Sequence, residues 1–245
     1  MPDHKNLDEK NRKAYSKKAI LKIIYKDYYS RIFKQLSFNK KYPNLEIGSG
    51  GGNIKKIIPN CITTDQFIDS KIDRIENVYK LNFKNNSVSN VILLDVFHHL
   101  EFPRLALNEI KRVLVKKGRI VMIEPAMGLV PKIIYKIFHE EPLGFEFKIQ
   151  WEKIPKKIPN LNQYFAAQSI PWRAFVKKEF NVKKEFKVKQ IKLFSDFAYL
   201  ASGGYSYPSF YPKIIYPLIK QIDNFLTIIS SKFFSARMIV VLEKK

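Results

Sequence analysis

The chain has 245 residues, 46% hydrophobic and 27% charged, a balance that fits one decorated α/β domain and excludes global disorder. Its single cysteine, Cys61, excludes an internal disulfide and a cysteine-based zinc site. Lys and Arg number 44 against 22 Asp and Glu, a formal charge of +22, which points toward nucleic acid or anionic membrane; but 36 Lys stand beside only 8 Arg, base-reading proteins lean on Arg, and an AT-rich coding sequence yields the same lysine excess.

Residues 1–13 are charged without apolar periodicity and read as a frayed start, too polar for a secretory signal. Ile20, Ile24, Tyr28, Ile32 and Leu36 step by four, which predicts one amphipathic helix from Lys13 to Leu36. YPNLEIGSGGGNIKKII predicts a short strand, a glycine turn and a helix start. CITTDQF predicts a second strand ending at Asp65, NVYKLNF a short third, and SNVILLD a strand buried on both faces. EFPRLALNEIKRVLVKKG predicts a helix with Pro103 in its first turn and Gly118 at its stop. GRIVMIEP predicts another buried strand, so residues 42–125 alternate strand and helix as a parallel sheet covered on both faces requires.

Beyond Pro125, MGLVPKIIYKIFH predicts a helix, residues 140–170 an insertion or cap, and PWRAFVKKEF another helix. FKVKQIKLF alternates as a strand does, and ARMIVVLEK closes as a last strand. Between Pro208 and Phe234, Ile214, Ile215, Leu218, Ile222, Phe225, Leu226 and Ile229 recur at steps of three and four. The first expectation is a helix packing this apolar face on the sheet; the alternative is a helix lying in an anionic membrane interface, with Lys213 and Lys220 off the face and Lys232 after it. No apolar run is long enough to predict a membrane span.

Gly48, Gly50, Gly51 and Gly52 directly follow Leu45-Glu46-Ile47. Glycines at a strand-to-helix turn let a ligand approach the backbone and aim helix amides at it, and that ligand is normally a nucleotide or nucleoside. A dinucleotide turn wants a third glycine where Asn53 stands, which disfavours NAD. Asp65, 17 residues after Gly48, is placed to accept from both hydroxyls of a ribose.

The ordered set LEIGSGGGNI, ITTD, LNFKNNSVSNVILLDVFHHL and PRLALNEIKRVLVKKGRIVMIEP resembles the class I S-adenosylmethionine-dependent methyltransferases. The nearest group is the small-molecule type that contains the ubiquinone/menaquinone methyltransferases. The resemblance implies an α/β fold: a Rossmann-like seven-stranded, mostly parallel sheet with an antiparallel final strand. It implies one domain, with an N-terminal helical segment (1–40), a cofactor-binding core (41–125), a cap (126–185), and the rest of the sheet with a flanking helix (186–245). The implied cofactor is S-adenosyl-L-methionine. The implied reaction is methyl transfer to a small or lipid-like acceptor, first at oxygen and otherwise at carbon.

Residue by residue, the resemblance assigns Glu46 to the methionine amino end and Gly48, Ser49 and Gly50 to the turn against the cofactor. Asp65, followed by Gln66, takes the ribose; Leu81 and Asn82 lie at the adenine edge; Asp95 and Val96 stand near the sulfonium. Relatives carry an Asp shortly before the Leu81 position. Here Val78, Tyr79 and Lys80 stand instead, so adenine recognition falls to backbone groups or Asn82.

Displacement at a sulfonium is catalysed mostly by positioning and desolvation. A base is needed only for a hydroxyl, thiol or protonated amine acceptor, and His98 is the candidate, with His99 read as packing. Four histidines scattered along the chain predict no metal site, even with His139 beside Glu140 and Glu141. Phe145, Phe147, Trp151, Tyr164, Phe165, Trp172, Phe175 and Tyr199 are expected to fill the cap and line an acceptor pocket. The expected partners are a small-molecule or lipid-linked acceptor and the inner face of an anionic membrane, in a cytoplasmic setting. A nucleic-acid methyltransferase is the alternative suggested by charge, but LLDVFHH stands where an Asn/Asp-Pro-Pro-aromatic motif would. A non-catalytic methyltransferase-like subunit is the other alternative, opposed by the intact glycine turn and Asp65.

Overall fold

The computed structural model describes residues 4–39, 41–50, 53–67, 71–151 and 165–245. β1 (Asn44–Ile47), β2 (Cys61–Asp65), β3 (Arg74–Ile75), β4 (Val88–Leu94), β5 (Leu114–Pro125), β6 (Phe186–Ser195) and β7 (Ser235–Lys244) form one sheet in the order β3-β2-β1-β4-β5-β7-β6. The first five strands run parallel, and β7 is antiparallel to both β5 and β6. Ile47 pairs with Thr64 and Leu93, so β1, β2 and β4 end together. Because β7 runs backward, its start returns to that same edge, where Arg237 pairs with Pro125.

Alternation along β4 and β5 divides the core between two faces. Val91, Leu93, Ile120 and Met122 pack with Leu107 and Ile110 of α3 (Pro103–Val113). Ile92, Val121 and Ile123 pack with Ile20, Ile24, Tyr28 and Ile32 of α2 (Ala19–Phe33). The sequence predicts one helix here, but extended Lys18 (φ −91°, ψ 102°) separates α2 from α1 (His4–Lys17), and the helical stretch starts within the segment read as frayed.

Other boundaries also differ from expectation. α3 stops at Val113 rather than Gly118, because the N–H groups of Asn86 and Ser87 take the last-turn carbonyls of Arg112 and Val113 and the chain enters β5 at once. The helix expected after the glycine turn is a single 3-10 turn, Asn53–Lys56. NVYKLNF is a turn rather than a strand, with Asn77 Oδ1 accepting the Tyr79 N–H at 2.9 Å. PWRAFVKKEF contributes one wide turn, Trp172–Val176, rather than a full helix.

The largest departure lies in α6 (Tyr216–Phe234), which breaks its helical geometry at Ser230. Its apolar face does not pack on the sheet. Ile214 just ahead of the helix is 81% exposed, and Leu218, Phe225 and Ile228 are 58%, 63% and 83% exposed. The one buried residue of the helix is polar: Asp223 accepts the Ser195 hydroxyl at 2.9 Å and the N–H groups of Phe197 and Ala198 at 2.7 and 3.1 Å. Those two amides open α5 (Phe197–Ala201). α4 (Leu129–Phe138) packs beside α6 and also exposes Ile133, Ile137 and Phe138. Among the described residues no helix is long and apolar enough to cross a membrane.

Candidate active site

The carboxyl ends of β1, β2, β4 and β5 meet the start of β7 at one edge, the place where open α/β sheets bind ligands. β1 delivers Glu46 there, buried, with neither carboxylate oxygen in a hydrogen bond. Burial pushes its carboxyl up to about 8; Asp65 adds to the rise, while Ser49 and Tyr29, which face it, oppose it. The chain then turns through Gly48 (φ +70°) and Gly50 (φ +52°). A Cβ on Gly48 would lie 2.5 Å from Val96 Cγ2, whereas Gly50 faces open space. Gly51 and Gly52 lie outside the described residues.

Asp65 closes β2 beneath this turn. Its Oδ2 accepts the Gly50 N–H at 2.8 Å and its Oδ1 accepts the Gln66 N–H at 2.7 Å. Ser49 ties the turn to β2 through the Thr64 N–H, which it accepts at 3.1 Å. Leu81 and Asn82 lie along the later turns of α3, with Glu76 between Asn82 and the Asp65 carbonyl, which accepts the Glu76 N–H at 2.9 Å. The Leu81 N–H goes to Glu109 at 2.8 Å and the Asn82 N–H to Glu76 at 2.8 Å, so both backbone donors are already used.

At the end of β4, Asp95 adopts a left-handed conformation (φ +58°) and pairs with Arg237. Arg237 is buried over the rings of Tyr199 (4.5 Å) and Tyr28 (5.5 Å). Its Nε is 3.7 Å from Asp196 Oδ2, which also accepts the Tyr28 hydroxyl. Burial raises the Asp196 carboxyl to about 6, against Lys220 and Arg237. Sequence reasoning missed Arg237 and Asp196. The available signal was a lone Arg in the otherwise apolar ARMIVVL, since a charge on a central strand must have a partner.

His98 lies in the 3-10 turn after Asp95 and is 3% exposed. Its Nδ1 is 2.7 Å from Glu124 Oε2, and its Nε2 is 3.5 Å from Glu141 Oε2. Burial pulls the ring down, but Glu124 and Glu141 outweigh it and lift the value to about 10. Both ring nitrogens thus face carboxylates. The fold also gathers what the sequence scatters: His99 Nε2 lies 3.8 Å from Glu141 Oε1, and His139 Nδ1 accepts the Glu141 N–H at 3.1 Å. Of the expected cap aromatics, Trp151 stacks on Phe180 and Phe175 packs on Phe97, both as part of the main core, while Phe147 meets Phe165 at the surface. Tyr199 instead covers Arg237, and Tyr164 lies outside the described residues.

The family model described as a methyltransferase domain matches residues 45–122, the stretch that carries Glu46, the glycine turn, Asp65 and His98. This stretch is similar to a methyltransferase domain. The methyltransferase fold extends over the rest of the chain. An S-adenosylmethionine-dependent methyltransferase from Thermotoga maritima is similar over 92% of this chain and 91% of its own, with 13% identity and a TM-score of 0.51. One from Archaeoglobus fulgidus is similar over 90% and 93%, with 15% identity and a TM-score of 0.50. A chain from the complex of the Haloferax volcanii Trm112 methyltransferase activator covers 100% and 99%, at 9% identity and a TM-score of 0.52. These likenesses are of fold.

In sequence, an uncharacterized protein of Methanocaldococcus jannaschii is 28% identical over 141 residues, 51% of this chain and 61% of its own. The chain thus spans about three fifths of that curated relative. Methyltransferase domains of this class take S-adenosyl-L-methionine as cofactor. The residues fit it: a buried acid faced by the Ser49 and Tyr29 hydroxyls suits the ligand's ammonium, and an open Gly50 above Asp65 suits the approach of the ribose.

Proposed function

We propose that this protein transfers a methyl group from S-adenosyl-L-methionine to a small or lipid-like acceptor presented at an anionic membrane surface, at oxygen first and otherwise at carbon. Glu46 is the observation that carries the donor half: a buried acid without a hydrogen bond is costly unless a cationic ligand completes it. The bound cofactor supplies a methyl on a good leaving group. Glu46 takes the ammonium, Gly48 and Gly50 let the backbone come close, and Asp65 at the end of β2 accepts the ribose hydroxyls. The Asp95–Arg237 pair and its tyrosine wall exclude water from the sulfonium end. His98, held between two glutamates, is the residue of this wall that takes the proton of a hydroxyl acceptor, while orientation and desolvation drive the displacement itself.

The acceptor half rests on α4 and α6. Large apolar side chains on two neighbouring helices face outward while the polar Asp223 faces in, the reverse of a helix made to flank a sheet. Exposed Lys132, Lys136, Lys213 and Lys232 lie on or beside the same helices, and each lysine near an anionic surface contributes about 1 kcal/mol. Titration with S-adenosylhomocysteine tests the donor half. Co-sedimentation with anionic vesicles tests the acceptor half.

A further inference from the structure

Three of the four histidines of the chain meet at one place, where the cap closes on the end of β4. One ligand atom each of His98, His99 and Glu141 lies within 4.8 Å of the other two, with His98 Nε2 nearest Glu141 Oε2 and His99 Nε2 beside Oε1. The two histidine–carboxylate gaps, 3.5 and 3.8 Å, are long for hydrogen bonds. They suit another spacing: a tetrahedral ion with bonds of about 2.1 Å sets its ligands about 3.4 Å apart.

The outer contacts point the same way. His98 turns its Nδ1 to Glu124 at 2.7 Å, and His99 turns its Nδ1 to the Phe165 carbonyl at 3.0 Å. Both hydrogen bonds fix the rings with Nε2 aimed at Glu141, which is how carboxylates and carbonyls orient metal-bound imidazoles. Glu141 is itself steered by Gln168, whose amide donates to Oε2, and by the His139 contact to its backbone N–H. The neighbouring group Asp95, His98 and Glu124 offers no such site, because Asp95 is paired with Arg237 and Glu124 Oε1 accepts the amides of Val96 and Phe97.

We propose that His98, His99 and Glu141 bind one divalent transition-metal ion of the zinc type, joining the cap to the methyltransferase core. Two imidazoles and a carboxylate leave at least one coordination position for water or for an acceptor oxygen. A hydroxyl held there loses its proton to water more readily. That role rests on the proposed methyl transfer; the site itself rests on geometry.

The test is zinc uptake by the full chain after chelator treatment, read by competition with a chromophoric chelator, together with the visible spectrum after Co2+ loading. We expect one equivalent of zinc and a cobalt spectrum of low coordination number. His99→Ala and Glu141→Gln, both at partly exposed positions, should each weaken uptake at least tenfold with unchanged circular dichroism. Glu124→Gln should weaken it by about 10- to 100-fold as a positioning residue, and His4→Ala should leave it unchanged. Absence of stoichiometric uptake, or uptake equal to wild type in both His99→Ala and Glu141→Gln, overturns the site. S-adenosylhomocysteine titration of the same chelator-treated protein separates the two proposals: cofactor binding without zinc uptake defeats only the metal site, and zinc uptake without cofactor binding defeats only the transfer.

Discussion

Glu124 grips His98 through one oxygen and the turn that carries it through the other: Oε2 lies 2.7 Å from His98 Nδ1, and Oε1 accepts the N–H groups of Val96 and Phe97 at 2.9 and 2.7 Å. One fully buried acid therefore fixes the loop that follows β4. Glu124→Gln keeps the volume but sets an amide donor against donors. The expected loss is about 3–5 kcal/mol, the usual result of breaking one side of a buried charged pair. Urea denaturation measures it, and a variant within about 1 kcal/mol of wild type would show that the grip is not needed.

Gly48→Ala meets two obstacles, a left-handed backbone and a Cβ 2.5 Å from Val96 Cγ2. The first alone costs about 1–2 kcal/mol. We expect a lower denaturation midpoint and weaker cofactor binding together. Gly50→Ala, with open space around its Cβ, should show only the backbone part of the loss.

Glu46 gives the donor site a pH signature. Its folded value, about 8, lies above the ordinary 4.5. The stability it contributes without ligand is therefore full below about pH 4.5 and is lost as pH rises through about 8. A cationic ligand favours the ionised acid, so binding at pH 7 should expel a proton. Calorimetry of S-adenosylhomocysteine in buffers of different ionisation enthalpy should show a slope near one proton released, absent in Glu46→Gln. An equal slope in both proteins would place the titrating group elsewhere.

The outward face of α6 can be altered without touching the core. Ile228→Glu and Phe225→Glu, at positions 83% and 63% exposed, should leave the thermal midpoint nearly unchanged. Wild type should sediment with anionic vesicles at low salt and be released at high salt, and both variants should stay in the supernatant. A wild type that never sediments with such vesicles removes the membrane from the account.

The parallel core was legible because its signals are local. Buried strands such as SNVILLD and GRIVMIEP show as short apolar runs, and the glycine turn follows its strand at once. What the sequence hid depends on contacts between distant segments. His98 and Glu141 are 43 positions apart, and Arg237 reaches Asp95 only because β7 runs backward to the ligand edge. Periodicity found the apolar face of α6 but could not say which way it points; that is set by Asp223, whose partners Ser195, Phe197 and Ala198 lie on β6 and α5. The end of α3 was misplaced because its last carbonyls are satisfied by Asn86 and Ser87 rather than by a glycine stop.

The central claim is that Glu46 and Asp65 form the two polar ends of an S-adenosylmethionine site. Its most direct test is calorimetric titration of the intact chain with S-adenosylhomocysteine, beside Glu46→Gln and Asp65→Ala. Each variant removes charge-assisted hydrogen bonds worth about 1.5–3 kcal/mol. The account expects saturable one-to-one binding to wild type and a weakening of about tenfold or more in each variant. No binding to wild type, or wild-type affinity in both variants, would contradict it.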